Sequence, residues 1–121
     1  MVDGDRLLLA RLARMTRAGD SVGVSPVVRA EMFAAVWRDR TRRARLFQVL
    51  GNMKGDAQIS EDGSRAGELL GRLEPGTEQV SIVDALIAAT AERLPAVVVT
   101  DDPGDFSRLR QAGWRGAFRR Y

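Results

Sequence analysis

The chain predicts an α/β fold with a mostly parallel sheet covered by helices on both sides, and three observations lead there. Segments of strand character alternate with segments of helical spacing, the order that parallel pairing requires. Val97-Val98-Val99-Thr100 is a continuous, mostly β-branched run, the composition of a strand buried on both faces. Directly after it, Asp101-Asp102-Pro103-Gly104-Asp105-Phe106 opens a helix with a cluster of carboxylates, at the strand end where ligands gather in open α/β sheets.

Leu7, Leu8, Leu12 and Met15 follow helical spacing between an N-capping Asp5 and a stop at Gly19, so a first helix is expected over residues 5 to 18. Val22 to Val24 reads as a short strand. Ser25-Pro26 then supplies an N-cap and a first-turn proline for a helix towards Trp37, followed by an arginine-rich helix carrying Leu46, Phe47 and Leu50 up to Gly51. Ala57 to Ile59 is a weak strand, and Ser60-Glu61-Asp62 opens a helix through Ala66, Leu69 and Leu70 that Pro75-Gly76 ends. Ser81 caps the next helix, whose Ile82, Val83, Leu86, Ile87 and Ala91 make it almost wholly apolar and therefore buried. A strand over 96 to 99, a helix from Pro103 to about Gln111 and a last strand from Trp114 to Phe118 complete the order.

A chain of 121 residues is read as one domain. Its 45% hydrophobic and 29% charged residues are those of an ordinary globular protein. No apolar run approaches the roughly 20 residues that cross a bilayer, and no signal-peptide pattern opens the chain, so a cytoplasmic location with no membrane role is the expectation. Histidine and cysteine are both absent, which excludes thiolate nucleophiles, Ser-His-Asp triads and Cys/His zinc sites. An enzyme of this composition works through carboxylates. Oxygen-only ligand sets favour Mg²⁺ or Mn²⁺ and, with them, phosphate-containing substrates. Between Arg29 and Arg45 six arginines stand against Glu31 and Asp39, so 6 − 2 = +4, which more than covers the net charge of +3. That window is either a solvated helix face or, beside an acidic metal site, a nucleic-acid footprint.

Several acids stand where structure alone gives them little reason to be. Glu31 shares a helical stripe with Val27, Val28, Met32 and Ala35, where a carboxylate needs a salt bridge, an escape to the helix edge or a metal. Asp84 is the sole charge between Ser81 and Glu92 and fits either a capping box with Ser81 or a ligand role. Asp102-Pro103-Gly104-Asp105 likewise reads as N-cap to N3. Because these helix starts leave the same sheet edge, the capping acids are expected to converge, and converging carboxylates repel unless a cation neutralises them. Thr100 is either a plain strand end or a hydrogen-bond partner for that cluster.

In three segments the chain resembles PIN-domain ribonucleases, in particular VapC-type toxins of bacterial toxin–antitoxin pairs. The matching pieces are Val24-Ser25-Pro26-Val27-Val28-Arg29-Ala30-Glu31, Val83-Asp84-Ala85-Leu86-Ile87-Ala88-Ala89-Thr90-Ala91 and Val99-Thr100-Asp101-Asp102-Pro103-Gly104-Asp105-Phe106. The resemblance implies a three-layer α/β/α PIN-like domain and a Mg²⁺- or Mn²⁺-dependent endoribonuclease. By position Glu31, Asp84 and Asp102 match the family's metal-site acids and Asp105 the acid that follows; these four are the candidate catalytic residues. Asp101 falls at a variable place, and Ser81 stands where many relatives have one more aspartate. Arg38, Arg42, Arg45, Arg115 and Arg119 are candidates for gripping the RNA backbone. The likeness also implies a homodimer inhibited by a small antitoxin that brings a basic side chain near the acids.

The departure is at the start, where relatives have a central strand ending in Asp followed by Ser or Thr. Here Met1-Val2-Asp3-Gly4-Asp5 joins the pattern after that unit, and neither Asp3 nor Asp5 is assigned to the missing ligand. The expectation is therefore a four-stranded, N-terminally shortened PIN-like domain, either started late or degenerate, with weak or no nuclease activity by itself. The competing reading is a catalytically dead module that binds RNA or an antitoxin-like partner. A third is a structural protein whose acids are only helix caps.

Overall fold

The computed structural model describes residues 23–51, 54–55, 58–101 and 103–120; the expected first helix lies outside them, as does Val22. The chain forms two compact units, residues 1–57 and 58–121.

In the first unit β1 (Gly23–Val24) leads into α1 (Pro26–Val36), and α2 (Arg40–Leu50) leads into β2 (Lys54–Gly55). The Ser25 hydroxyl accepts the Val28 N–H at 3.3 Å and Pro26 occupies the first turn, as the sequence predicts. Asp39 caps α2 in the same way, accepting the Arg42 N–H at 3.1 Å. The two helices meet through Phe33 and Phe47, whose ring centroids lie 4.5 Å apart, and Leu46 and Leu50 are buried. Return to the sheet is parallel, with Gly23 opposite Lys54 and Val24 opposite Gly55.

The strand expected over 57 to 59 is not formed at Gln58 or Ile59. Ile59 is the N-cap position of α3 (Ser60–Gly71), and its N–H donates to an Asp62 carboxylate oxygen at 3.0 Å, so the segment is committed to starting a helix. That helix ends earlier than Pro75, because Glu74-Pro75-Gly76-Thr77 forms a turn of its own. Thr77 N–H bonds the Glu74 carbonyl at 3.0 Å and Gly76 sits at φ +85°, the residue order a type II turn requires.

The second unit continues with α4 (Ile82–Arg93), β3 (Val97–Thr100), α5 (Gly104–Gln111) and β4 (Ala117–Arg120). Strands β3 and β4 pair in parallel from Val97 with Ala117 to Thr100 with Arg120, the arrangement a strand–helix–strand crossover gives. The burial of α4 falls on its small residues and not on the large apolar ones that predicted it: Ala85, Ala88, Ala89 and Ala91 form its inner face, small enough for close approach, and pack with Leu69, Val98, Phe106, Leu109 and Trp114, while Val83, Leu86 and Ile87 are half-buried and Ile82 is 67% exposed in the first turn. Trp114 places its indole N–H on the Ala88 carbonyl at 2.9 Å, so its one polar atom is satisfied inside the core. The last strand begins later than Trp114 because the Trp114 N–H is taken by Leu109 and the Arg115 N–H by Glu92.

Two ion pairs tie the helices of this unit. Asp62, only 2% exposed, accepts Arg93 through both carboxylate oxygens at 2.9 and 3.0 Å and also bonds Thr90. Arg65 bridges Glu92 at 2.9 Å, Glu68 at 2.7 Å and the Gly113 carbonyl at 2.9 Å.

Candidate functional site

The site is built where α4 and α5 begin. Ser81 accepts the Asp84 N–H at 3.0 Å, which is the first half of the expected capping box and fixes the start of α4. The Asp84 carboxyl group turns to Asp105, and the two lie within hydrogen-bonding reach. Gly104 starts α5, so Asp105 is its second residue, one place nearer the end than the sequence pattern implies. Its carboxylate accepts the Ser81 N–H from the start of α4 and, within its own helix, an Arg108 guanidinium N–H.

Burial pushes the Asp105 carboxyl up, but the hydrogen bonds to Asp84 and Arg108, the Arg108 charge and the Ser81 N–H outweigh it and hold it below the usual carboxylate value. Two carboxyl groups in such contact share either a proton or a cation, because two bare charges at this separation repel. The donor set is oxygen alone, and Mg²⁺ is commonly held by one or two carboxylates with substrate phosphate completing its shell. Asp84 and Asp105 therefore fit a hard divalent ion.

The remaining candidates stand as follows. Asp102 lies outside the described residues. Asp101 is exposed, and Thr100 closes β3 half-buried. Glu31 is exposed on α1 in the first unit, flanked by half-buried Val27, Val28 and Met32. Among the described residues no three acids cluster closely enough to enclose a metal ion. Arg38 and Arg45 are exposed and Arg42 is half-buried around the start of α2, while Arg115 and Arg119 are exposed at and before β4. Arg43, within the same basic window, is committed locally: its guanidinium lies 4.7 Å from the Trp37 ring centroid and donates to the Trp37 carbonyl at 3.1 Å.

The sequence reading missed Arg108 and Glu78. Arg108 bonds Asp105 one turn earlier on α5 and approaches Glu78 at 3.5 Å from its other terminal nitrogen. The i, i+3 spacing of Asp105 and Arg108 was the available signal. Its Nε is buried and has no hydrogen-bond partner among the described residues.

A family model of the PIN domain matches residues 2–112. No curated protein matches the chain. Among solved structures, the fold is similar to VapBC2 from Rickettsia felis bound to a DNA fragment from its promoter, with a TM-score of 0.73 and 20% identity over 93% of this chain and 83% of that one. It is also similar to FitAB bound to an IR36 DNA fragment, with a TM-score of 0.70 and 19% identity over 83% of this chain and 73% of that one. The likeness to these structures is one of fold, a PIN-like α/β architecture with parallel strands, and agrees with the sequence expectation. With the family model spanning nearly all of its length, the chain belongs to the PIN-domain family.

Proposed function

We propose that the chain is the toxin of a toxin–antitoxin pair and a Mg²⁺- or Mn²⁺-dependent endoribonuclease. The observation that carries this reading is the meeting of Asp84 and Asp105 at the first turns of two helices in a PIN-domain chain. Asp84 would hold the ion with Asp105 beside it, and the family resemblance assigns Glu31 and Asp102 to the same role. When bound, a divalent ion supplies charge stabilisation for a phosphodiester under in-line attack and lowers the pKa of water. The chain's own part is to hold Asp84 and Asp105 in the first turns of α4 and α5 and to present arginine to phosphate. Arg38, Arg42, Arg45, Arg115 and Arg119 take the RNA backbone in this reading, and their contribution is salt-dependent.

The fold likeness to VapBC2 and FitAB supports an antitoxin partner; a homodimer in the cytoplasm belongs to the same proposal. No helix among the described residues is long and apolar enough to cross a membrane. The test is cleavage of single-stranded RNA with Mn²⁺: Asp84→Ala and Glu31→Ala should each abolish it, and cleavage retained by either variant removes that residue from the catalytic set.

One observation favours the second reading, a module that binds RNA or an antitoxin-like partner without cleaving. Asp105 already has a positive partner in Arg108, so the acid pair is partly neutralised without any ion. A chain of this kind still binds RNA in a gel-shift titration yet gains no stability from Mn²⁺.

A further inference from the structure

We propose that Arg108 is a resident counter-ion of the acid pair, holding Asp105 when no divalent ion is bound and releasing it when one binds. The inference rests on the metal-site reading above and concerns what sets the affinity of that site.

Three observations converge on it. Arg108 donates through Nη2 to Asp105 Oδ1, the carboxylate that is also in contact with Asp84, so the guanidinium sits on the same acid an ion would use. Its second anchor, Glu78, is 80% exposed and 3.5 Å away, a contact that water replaces at little cost. Its Nε is buried without a partner among the described residues, so the bound position leaves one donor unsatisfied and is less favourable than a fully bonded arginine. A cation held strongly on one side and poorly on the others is one that a better cation displaces.

The chemistry needs only an exchange of ion pairs. The Arg108–Asp105 contact would break, leaving Asp105 and Asp84 free to hold the ion, and the guanidinium would turn towards Glu78 and solvent. A divalent ion and a guanidinium cannot share that edge of the cluster without strong repulsion, so occupancy is mutually exclusive. Arg108 thereby raises the concentration of ion needed to fill the site and keeps the empty site from bursting apart by carboxylate repulsion.

The test is side-chain NMR of the whole chain labelled with ¹⁵N-arginine, titrated with Mg²⁺, with Arg108 assigned by the signal lost in Arg108→Gln. Without Mg²⁺ the Arg108 guanidinium should show slow exchange and restricted rotation; at saturation both should be lost. By calorimetry Arg108→Gln should bind Mg²⁺ about tenfold more tightly, the effect of removing one nearby competing charge, and Arg108→Lys should fall between the two. Mg²⁺ binding that shifts Asp84 and Asp105 while the Arg108 signals stay fixed overturns the exchange and leaves the metal site standing. Mg²⁺ binding to neither the wild type nor Arg108→Gln overturns both together. The wild-type titration gives its answer even where a variant folds poorly.

Discussion

Asp84 and Asp105, twenty-one positions apart in the chain, bring their carboxyl groups into hydrogen-bonding reach across the first turns of α4 and α5. Neither acid needs the other for its helix, since Ser81 caps α4 and the Asp105 carboxylate is held by Arg108 within α5 and by the Ser81 N–H. Placing two like charges together costs stability in the absence of a proton or a cation between them. Asp84→Asn should therefore leave the cation-free protein at least as stable as the wild type while abolishing any gain from Mn²⁺. Thermal melts with and without Mn²⁺ check both halves, and a large loss of stability in the cation-free variant goes against the prediction.

A second prediction concerns the Asp62–Arg93 pair that joins α3 to α4. Arg93→Ala leaves a carboxylate that is 2% exposed without its guanidinium. The expected loss is about 3 kcal/mol, at the low end for a broken buried pair because Ile59 N–H and Thr90 still bond Asp62. Urea unfolding measures it. Arg72→Ala, which removes a well-exposed contact to Glu68, should change the midpoint little.

The same pair sets an acid limit. The hydrogen bond from Arg93 holds the Asp62 carboxyl below its ordinary value near 3.8, against the upward push of burial. A carboxyl whose folded pKa is depressed contributes stability that is fully present above its unfolded pKa and is lost as pH falls through the folded one. Stability should hold from neutral pH down to about 5 and fall below about 4. In Arg93→Ala that acid limb should flatten, as equilibrium unfolding at a series of pH values between 7 and 2.5 would reveal.

Gly116 lies against the Trp114 ring so closely that an added Cβ would stand 2.3 Å from two indole carbons. Trp114 cannot yield easily, being 2% exposed and tied to the Ala88 carbonyl. Gly116→Ala should cost about 1–3 kcal/mol by overpacking. At Gly63, where nothing lies within 4 Å, the same change within a helix should be neutral or stabilising. Comparing the two melting temperatures decides the matter.

Local chemistry made much of this fold legible. Ser25 with Pro26, Ser81 with its apolar helix, and the β-branched run before Thr100 each specify an element through their own residues, and each stands where the sequence places it. The element boundaries that moved were decided by tertiary contacts. Trp114 looks like strand but is drawn into the core, and Ile59 looks like strand but donates to Asp62. At the site, Ser81 and the Asp102-Pro103-Gly104-Asp105 run marked in the sequence the two helix starts at which Asp84 and Asp105 come into contact. The Arg108–Glu78 approach and the Asp62–Arg93 pair were not legible, since a charged residue on a helix reads the same whether it faces water or a partner about thirty residues away.

The central claim, that carboxylates of this chain hold a divalent ion, is tested most directly by isothermal titration of Mn²⁺ into the whole protein and into Asp84→Ala. Saturable binding in the wild type that Asp84→Ala removes is the predicted result. Absence of binding in the wild type, or equal binding in both proteins, contradicts it.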